Sequence, residues 1–114
     1  MNLKYLNFVI LTLFFAAFTL EAGSLYGNKT EEITLPTVQC GMCKKTIEKA
    51  VKKLDGIVSI SVDVDVKKAV VVFDDTKTSL TAIENSISNA GYEANSKKAN
   101  NEAYDKLDDC CKMP

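Results

Sequence analysis

Two cysteines separated by two residues, Cys40 and Cys43, are the groups in this sequence best suited to chemistry. A second pair, Cys110 and Cys111, is adjacent in sequence and lies in the C-terminal segment. Thiolates carry out disulfide exchange and also bind soft metal ions. Because the chain contains no histidine, zinc and copper sites that use imidazole are excluded within one chain. Three interpretations of Cys40 and Cys43 remain: a redox switch, a metal site and a structural disulfide.

The elements that must position these cysteines follow from hydrophobic spacing. In chain order, the pattern predicts a first strand with Ile33, Leu35 and Val38, a helix over 40–54, a hairpin of strands over 58–64 and 69–73, a helix over 78–90 and a last short strand over 92–94. This order predicts an α+β, ferredoxin-like βαββαβ sandwich, in which two helices cover one face of a four-stranded antiparallel sheet. Its core is predicted to include Ile47, Val51, Leu54, Leu80, Ile83 and Ile87.

The first cysteine pair therefore lies where a strand leads into a helix. The backbone N–H groups and the positive end of the helix dipole lie beside Cys40 and Cys43, and Lys44 and Lys45 add positive charge. Both effects favour thiolate over thiol. A thioredoxin-like oxidoreductase is disfavoured, since the chain has no tryptophan and its two prolines are Pro36 and Pro114. A thiolate pair on a loop suits Cu(I) and Hg(II), whereas tetrahedral zinc would require all four cysteines.

The segment over 32–96 resembles the heavy-metal-associated domain family, which includes copper chaperones and a periplasmic mercury-binding protein. The resemblance is carried by "TVQCGMCKK", by "LDGIVSISVDV" and by the "AGY" that follows the second helix. It implies that Cys40 and Cys43 hold one soft metal ion, with Cu(I) first, Hg(II) next and Zn(II) less favoured. It also implies that Tyr92 lies beside the metal loop. Val38 stands where the family usually has a methionine that packs under that loop.

Further sulfur ligands are available outside this pair. Met42 could lend a thioether, although an exposed methionine is more often a bystander. Cys110 and Cys111 are candidate additional ligands, because a flexible tail of their length can return to the first pair. The alternatives are a separate thiol site, or a disulfide from the tail to the loop. A disulfide between the two neighbours themselves would be strained.

Lysines dominate the exposed side of the first helix. Lys44, Lys45 and Lys49 are predicted to dock an acidic partner during metal transfer, such as a membrane metal transporter or its metal-binding domain. The alternative is a solvated helix face without a partner. The formal net charge of −1 gives no reason to expect a nucleic-acid ligand, and we expect a monomer.

The N-terminal segment has the order of a secretory signal peptide. Its apolar run over 8–20 is shorter than the roughly 20 residues that span a bilayer, and small residues follow it. An uncleaved anchor is the alternative. We therefore divide the chain into a signal peptide (1–22), a linker (23–30), a heavy-metal-associated domain (31–96) and a cysteine-containing tail (97–114).

Together these features predict a secreted or periplasmic protein that sequesters or hands over Cu(I) or Hg(II). We expect no enzymatic activity. The competing hypothesis is a thiol-disulfide oxidoreductase that uses the same two cysteines.

Overall fold

The computed structural model of the protein describes residues 27–114, so the predicted signal peptide lies outside the described residues. The elements, in chain order, are β1 (Asn28–Thr34), α1 (Gly41–Lys52), β2 (Ile57–Asp63), β3 (Lys68–Asp74), α2 (Leu80–Asn89), α3 (Asn101–Asp105) and a 3-10 turn (Asp109–Cys111). Within this part of the chain, no helix has the length and apolar character needed to cross a membrane.

The predicted hairpin is confirmed as β2 and β3, which pair antiparallel. Ile60 and Val62 face the core, as the alternating pattern requires. Val58 does not, and 57% of its surface is exposed. The reason is a bulge between Ile57 and Ser59, which shifts the register at the start of β2.

The first strand begins earlier than the sequence suggests. Residues 28–30, predicted to belong to a linker, form the start of β1 and pair with β3, so the strand order is β1-β3-β2. β1 ends at Thr34, although Leu35 and Val38 beyond it are fully buried. The segment after the strand is held by Lys67, whose Nζ donates to the carbonyl oxygens of Val38 at 3.1 Å and Pro36 at 3.4 Å.

The fourth strand predicted over 92–94 is not formed, and the sheet of the described residues has three strands. Ala94 makes only an isolated bridge with Lys97. The segment instead joins the end of β1 through Asn95, whose N–H donates to the Thr34 carbonyl at 2.8 Å and whose Oδ1 accepts from the Thr34 N–H at 2.9 Å. Pro36 follows that point and has no N–H to donate, so a ladder cannot continue beside it.

Both predicted helices are present and pack against each other, and α1 also packs against β2. Their buried aliphatic side chains join those of the sheet in one core cluster, which includes Ile47, Val51, Ile83, Ile87, Val71 and Phe73. Leu54 and Leu80 are only partly buried at its edge. Ser79 caps the start of α2, since its Oγ accepts from the Ala82 N–H at 3.1 Å.

The C-terminal tail is folded onto the domain, whereas the sequence suggested a flexible segment. The buried Ser88 of α2 anchors it, since its Oγ donates to the Lys98 carbonyl at 2.6 Å and its own carbonyl accepts from the Asn100 N–H at 3.0 Å. Gly91, at a φ of +102°, lies against the backbone of α3 at Ala103. From there the chain reaches the 3-10 turn, which packs against α1.

Candidate metal centre

Cys40 and Cys43 occupy the start of α1. Cys40 is the residue that precedes the helix, with extended backbone angles, and its side chain is half-buried. Cys43 lies in the first helical turn and is fully buried in the core cluster. The predicted junction between strand and helix is thus confirmed, but Cys43 belongs to the core and not to an open loop. The two sulfur atoms are 3.5 Å apart.

The tail brings its two cysteines to the same place. Cys40 Sγ lies 3.4 Å from Cys110 Sγ and 3.6 Å from Cys111 Sγ, and the two tail sulfurs are 3.9 Å apart. Cys110 is exposed, Cys111 is buried, and all four cysteines are free thiols. Met42, which is half exposed, has its Sδ 3.8 Å from Cys110 Sγ. Cys40 is therefore the sulfur that the first pair and the tail share.

The thiols differ in acidity. The pKa of Cys40 is lowered to about 6, mainly by the nearby backbone N–H of Cys43 and further by the Cys110 thiol. The Cys40 side chain does not make a regular capping hydrogen bond at the start of α1. The hydrogen bond to Cys40 raises the pKa of Cys110, and burial raises the pKa of Cys111. Near neutral pH the lowered pKa favours a thiolate at Cys40, beside protonated tail thiols.

Tyr92 is fully buried and belongs to the same core cluster as Cys43 and Cys111. Its hydroxyl has no hydrogen-bond partner of ordinary geometry. Burial raises its pKa, and the nearby Cys43 and Cys111 thiols raise it further, so the hydroxyl is neutral and lies close to those two sulfurs. A buried donor without an acceptor is costly, and a thiolate at either cysteine would supply one.

These cysteines lie in a segment, residues 32–93, that matches the model of the heavy-metal-associated domain family. The chain belongs to this family. Cys40, Cys43 and Tyr92 fall inside the matched segment of the heavy-metal-associated domain. Cys110 and Cys111 fall beyond its end.

Two curated proteins similar to this heavy-metal-associated domain share a name. The mercuric transport protein periplasmic component of Shewanella putrefaciens is 39% identical over 75 residues, which are 66% of this chain and 82% of that protein. The protein of the same name from Serratia marcescens is 34% identical over 71 residues, covering 62% of this chain and 78% of that one.

Solved structures extend the comparison. Oxidized MerP from Ralstonia metallidurans CH34 has a TM-score of 0.57 and 33% identity, covering 59% of this chain and 93% of its own. The CopZ metallochaperone has a TM-score of 0.57 and 27% identity, covering 58% of this chain and 98% of its own. Both structures thus align over most of their own length. They cover 59% and 58% of this chain, so about two fifths of it has no counterpart in either structure.

Sequence reasoning missed the contacts that hold the tail at the heavy-metal-associated domain. Gln39 Nε2 donates to Met113 Sδ at 2.8 Å, and the Met113 N–H donates to the Tyr104 hydroxyl at 2.8 Å. Gln39 and Met113 are 74 positions apart, so no local pattern indicates the contact. The Lys67 hydrogen bonds under the segment that precedes Cys40 are also non-local, spanning 29 and 31 positions.

The predicted docking lysines are all on the surface. Lys44, Lys45 and Lys49 are exposed on α1, and none of them forms a salt bridge within residues 27–114. Lys45 and Lys49 also line a shallow surface groove with Glu48, Lys52 and Lys53. This groove thus holds four lysines and one glutamate, and its nearest lysine to the sulfur cluster in the sequence is Lys45, two positions after Cys43.

Proposed function

We propose that this protein binds one soft heavy-metal ion between Cys40 and Cys43 and hands it to another thiol-bearing site. One observation carries the proposal: the Cys40 sulfur lies 3.5 Å from the Cys43 sulfur at the start of a helix. The lowered pKa of Cys40, about 6, makes its thiolate accessible near neutral pH. A helix N-terminus stabilises the negative charge of a thiolate. The half-buried Cys40 sulfur can take an incoming ion first, and the buried Cys43 sulfur then completes the pair.

The donor set supports Hg(II) and Cu(I) as cargo. The chain offers thiolates without histidine, and soft ions prefer sulfur ligands. The curated relatives are named mercuric transport proteins, which favours Hg(II), and CopZ is named a metallochaperone. None of these names supports the alternative of a thiol-disulfide oxidoreductase. The relatives are also named periplasmic components, which supports export of this chain after removal of a signal peptide over 1–22.

A competition between ions tests the proposal. Reduced protein offered equal amounts of Hg(II), Cu(I) and Zn(II) is expected to retain one soft ion per chain, Hg(II) before Cu(I), and to leave Zn(II) in solution. Native mass spectrometry reads out each bound species directly. Retention of Zn(II) as the main species, or the absence of any bound ion, would contradict the proposal.

We further propose that Lys44, Lys45 and Lys49 dock an acidic acceptor, such as a membrane metal transporter or its metal-binding domain. Replacing Lys44 and Lys45 with glutamate is expected to slow transfer to an acidic peptide with its own cysteine pair by about tenfold at low salt, because attraction between opposite charges accelerates encounter. The affinity for the ion should change little. Stopped-flow transfer rates measure the effect.

Two controls make this test specific. Glutamates at Lys52 and Lys53, which lie at the other end of α1, should slow transfer much less. A neutral peptide, with glutamine in place of each acid, should not distinguish the variants. Equal slowing with the acidic and the neutral peptide would count against a docking role, as would an effect that salt does not reduce.

A further inference from the structure

We infer that Cys110 and Cys111 join Cys40 as a three-sulfur site for the same soft ion, so that the tail turns an exchange site into a holding site. This inference rests on the proposed function and goes beyond it. The ion then has two arrangements in one cluster, Cys40 with Cys43 and Cys40 with the tail pair. Cys40 stays bound in both.

The sulfur positions suit three-fold coordination. Cys40, Cys110 and Cys111 offer ligand atoms that all lie within 4.8 Å of one another, and the three edges of their triangle are 3.4, 3.6 and 3.9 Å. With a metal–sulfur bond of about 2.3 Å, sulfurs in a trigonal site lie about 4.0 Å apart, and sulfurs in a linear site about 4.6 Å apart. The observed triangle is therefore closer to the trigonal arrangement, and small side-chain rotations would admit an ion.

The tail is held in this place by the fold. Ser88 anchors its first part, and Met113 contacts both Gln39 and Tyr104 at its end. Cys111 is only 3% exposed and belongs to the core cluster, so its sulfur has a defined position. Exposed Cys110 leaves the cluster open to solvent on one side. An ion can therefore reach a site whose ligands are already assembled.

The buried Tyr92 hydroxyl also favours an ionised ligand in this cluster. The Tyr92 hydroxyl is completely buried without a hydrogen-bond partner, and it lies close to the Cys43 and Cys111 sulfurs. When a metal ion binds Cys111 and displaces its proton to solvent, the sulfur becomes a thiolate that can accept from this hydroxyl. Metal binding would thus satisfy a polar group that the metal-free protein leaves unpaired.

Movement of the ion between the two arrangements is ligand exchange without oxidation or reduction. When the ion moves to the tail pair, the bond from the metal to Cys43 breaks, two metal–sulfur bonds to Cys110 and Cys111 form, the two tail thiols each lose a proton to solvent and the Cys43 sulfur takes one up. When the ion returns, both bonds to the tail break and the tail sulfurs regain their protons, while Cys43 loses its proton and binds the metal again. The metal keeps its oxidation state throughout.

X-ray absorption on the reduced full chain, loaded with one equivalent of Hg(II) or of Cu(I), tests the inference. We expect an average of three sulfur ligands for at least one of the two ions, falling to two in the double variant Cys110→Ser and Cys111→Ser. The double variant should also release its ion to a competing chelator at least about tenfold faster. Met42→Leu, which removes the exposed thioether near Cys110, is the matched control and should keep three sulfurs.

The outcomes separate this inference from the proposed function. A wild-type protein that binds no soft ion would overturn both. A wild-type protein that holds both ions with two sulfurs would overturn only the three-sulfur site, and so would a coordination number that the double variant does not change. Another outcome is a protein isolated with a disulfide between the tail and the loop. If it then binds the ion with two sulfurs after reduction, that result too would overturn only the three-sulfur site.

Discussion

Cys40→Ser is expected to abolish retention of Hg(II) and Cu(I). Cys40 lies within 3.6 Å of each of the other three cysteine sulfurs, so its loss removes the ligand common to both arrangements. Chelation by linked ligands raises affinity by about 10²–10⁴ over a single contact, and we expect a loss of that order. Competition with a chromogenic chelator measures it.

The fold should survive this change, because Cys40 is half-buried and precedes α1. An unchanged unfolding temperature, measured by circular dichroism, is the accompanying control. Met42→Leu, in the same segment and half exposed, should bind the ion like the wild type. Wild-type affinity in Cys40→Ser would refute the site assignment.

Cys43→Ser is a less clean test of the same site. Cys43 is fully buried, so a serine there places a hydroxyl in the core. An unpaired buried hydroxyl costs about 1–3 kcal/mol, although the nearby Tyr92 hydroxyl could offset part of this. Loss of binding in this variant would therefore combine a missing ligand with a weaker fold.

Gly91→Ala is expected to displace the tail without changing any cysteine. At a φ of +102°, alanine is strained by about 1–2 kcal/mol, and its Cβ would lie 3.0–3.1 Å from the backbone of Ala103 and Tyr104 in α3. We therefore expect a lower free energy of unfolding and a faster reaction of Cys111 with a thiol reagent in the native protein. Mass spectrometry of the labelled peptides measures the second effect.

Gly56→Ala provides the matched control. Gly56 also has a positive φ, +91°, and its added Cβ would meet Lys77 Cβ at 2.7 Å, so the variant has comparable strain but no contact with the tail. It should lose stability without faster labelling of Cys111. Equal acceleration in both variants would show that Cys111 is exposed by global opening, and not by release of the tail.

Local periodicity was sufficient to predict the elements that position Cys40 and Cys43. The hairpin and both long helices are where the spacing of apolar residues indicated. Errors occurred where a neighbour decides the structure. Residues 28–30 form a strand because β3 is available to pair with them, and residues 92–94 do not because β1 has ended at Thr34.

The tail lay beyond what local patterns can predict. Cys40 and Cys110 are 70 positions apart, and their contact depends on Ser88, Gly91 and Met113. Gly91 is recognisable as part of the "AGY" after the second helix, but no local pattern indicates that any of the three residues holds the tail. The burial of Cys43 was missed for a related reason. A CxxC spacing gives the chemistry of two thiols, but burial depends on which elements pack over them.

The lysine under the segment preceding Cys40 has a consequence for local unfolding. Lys67 lies in the turn of the β2–β3 hairpin, its carbonyl accepts from the Leu35 N–H at 2.8 Å, and its ammonium donates to Pro36 and Val38. The segment over 35–38 can therefore detach from the domain only if its hydrogen bonds to this turn also break. Cooperative units of this kind open together in hydrogen exchange. The amide hydrogens of residues 35 and 38 should thus exchange with the same opening free energy as those at the β2–β3 turn. The segment that leads to Cys40 would then be as stable as the sheet.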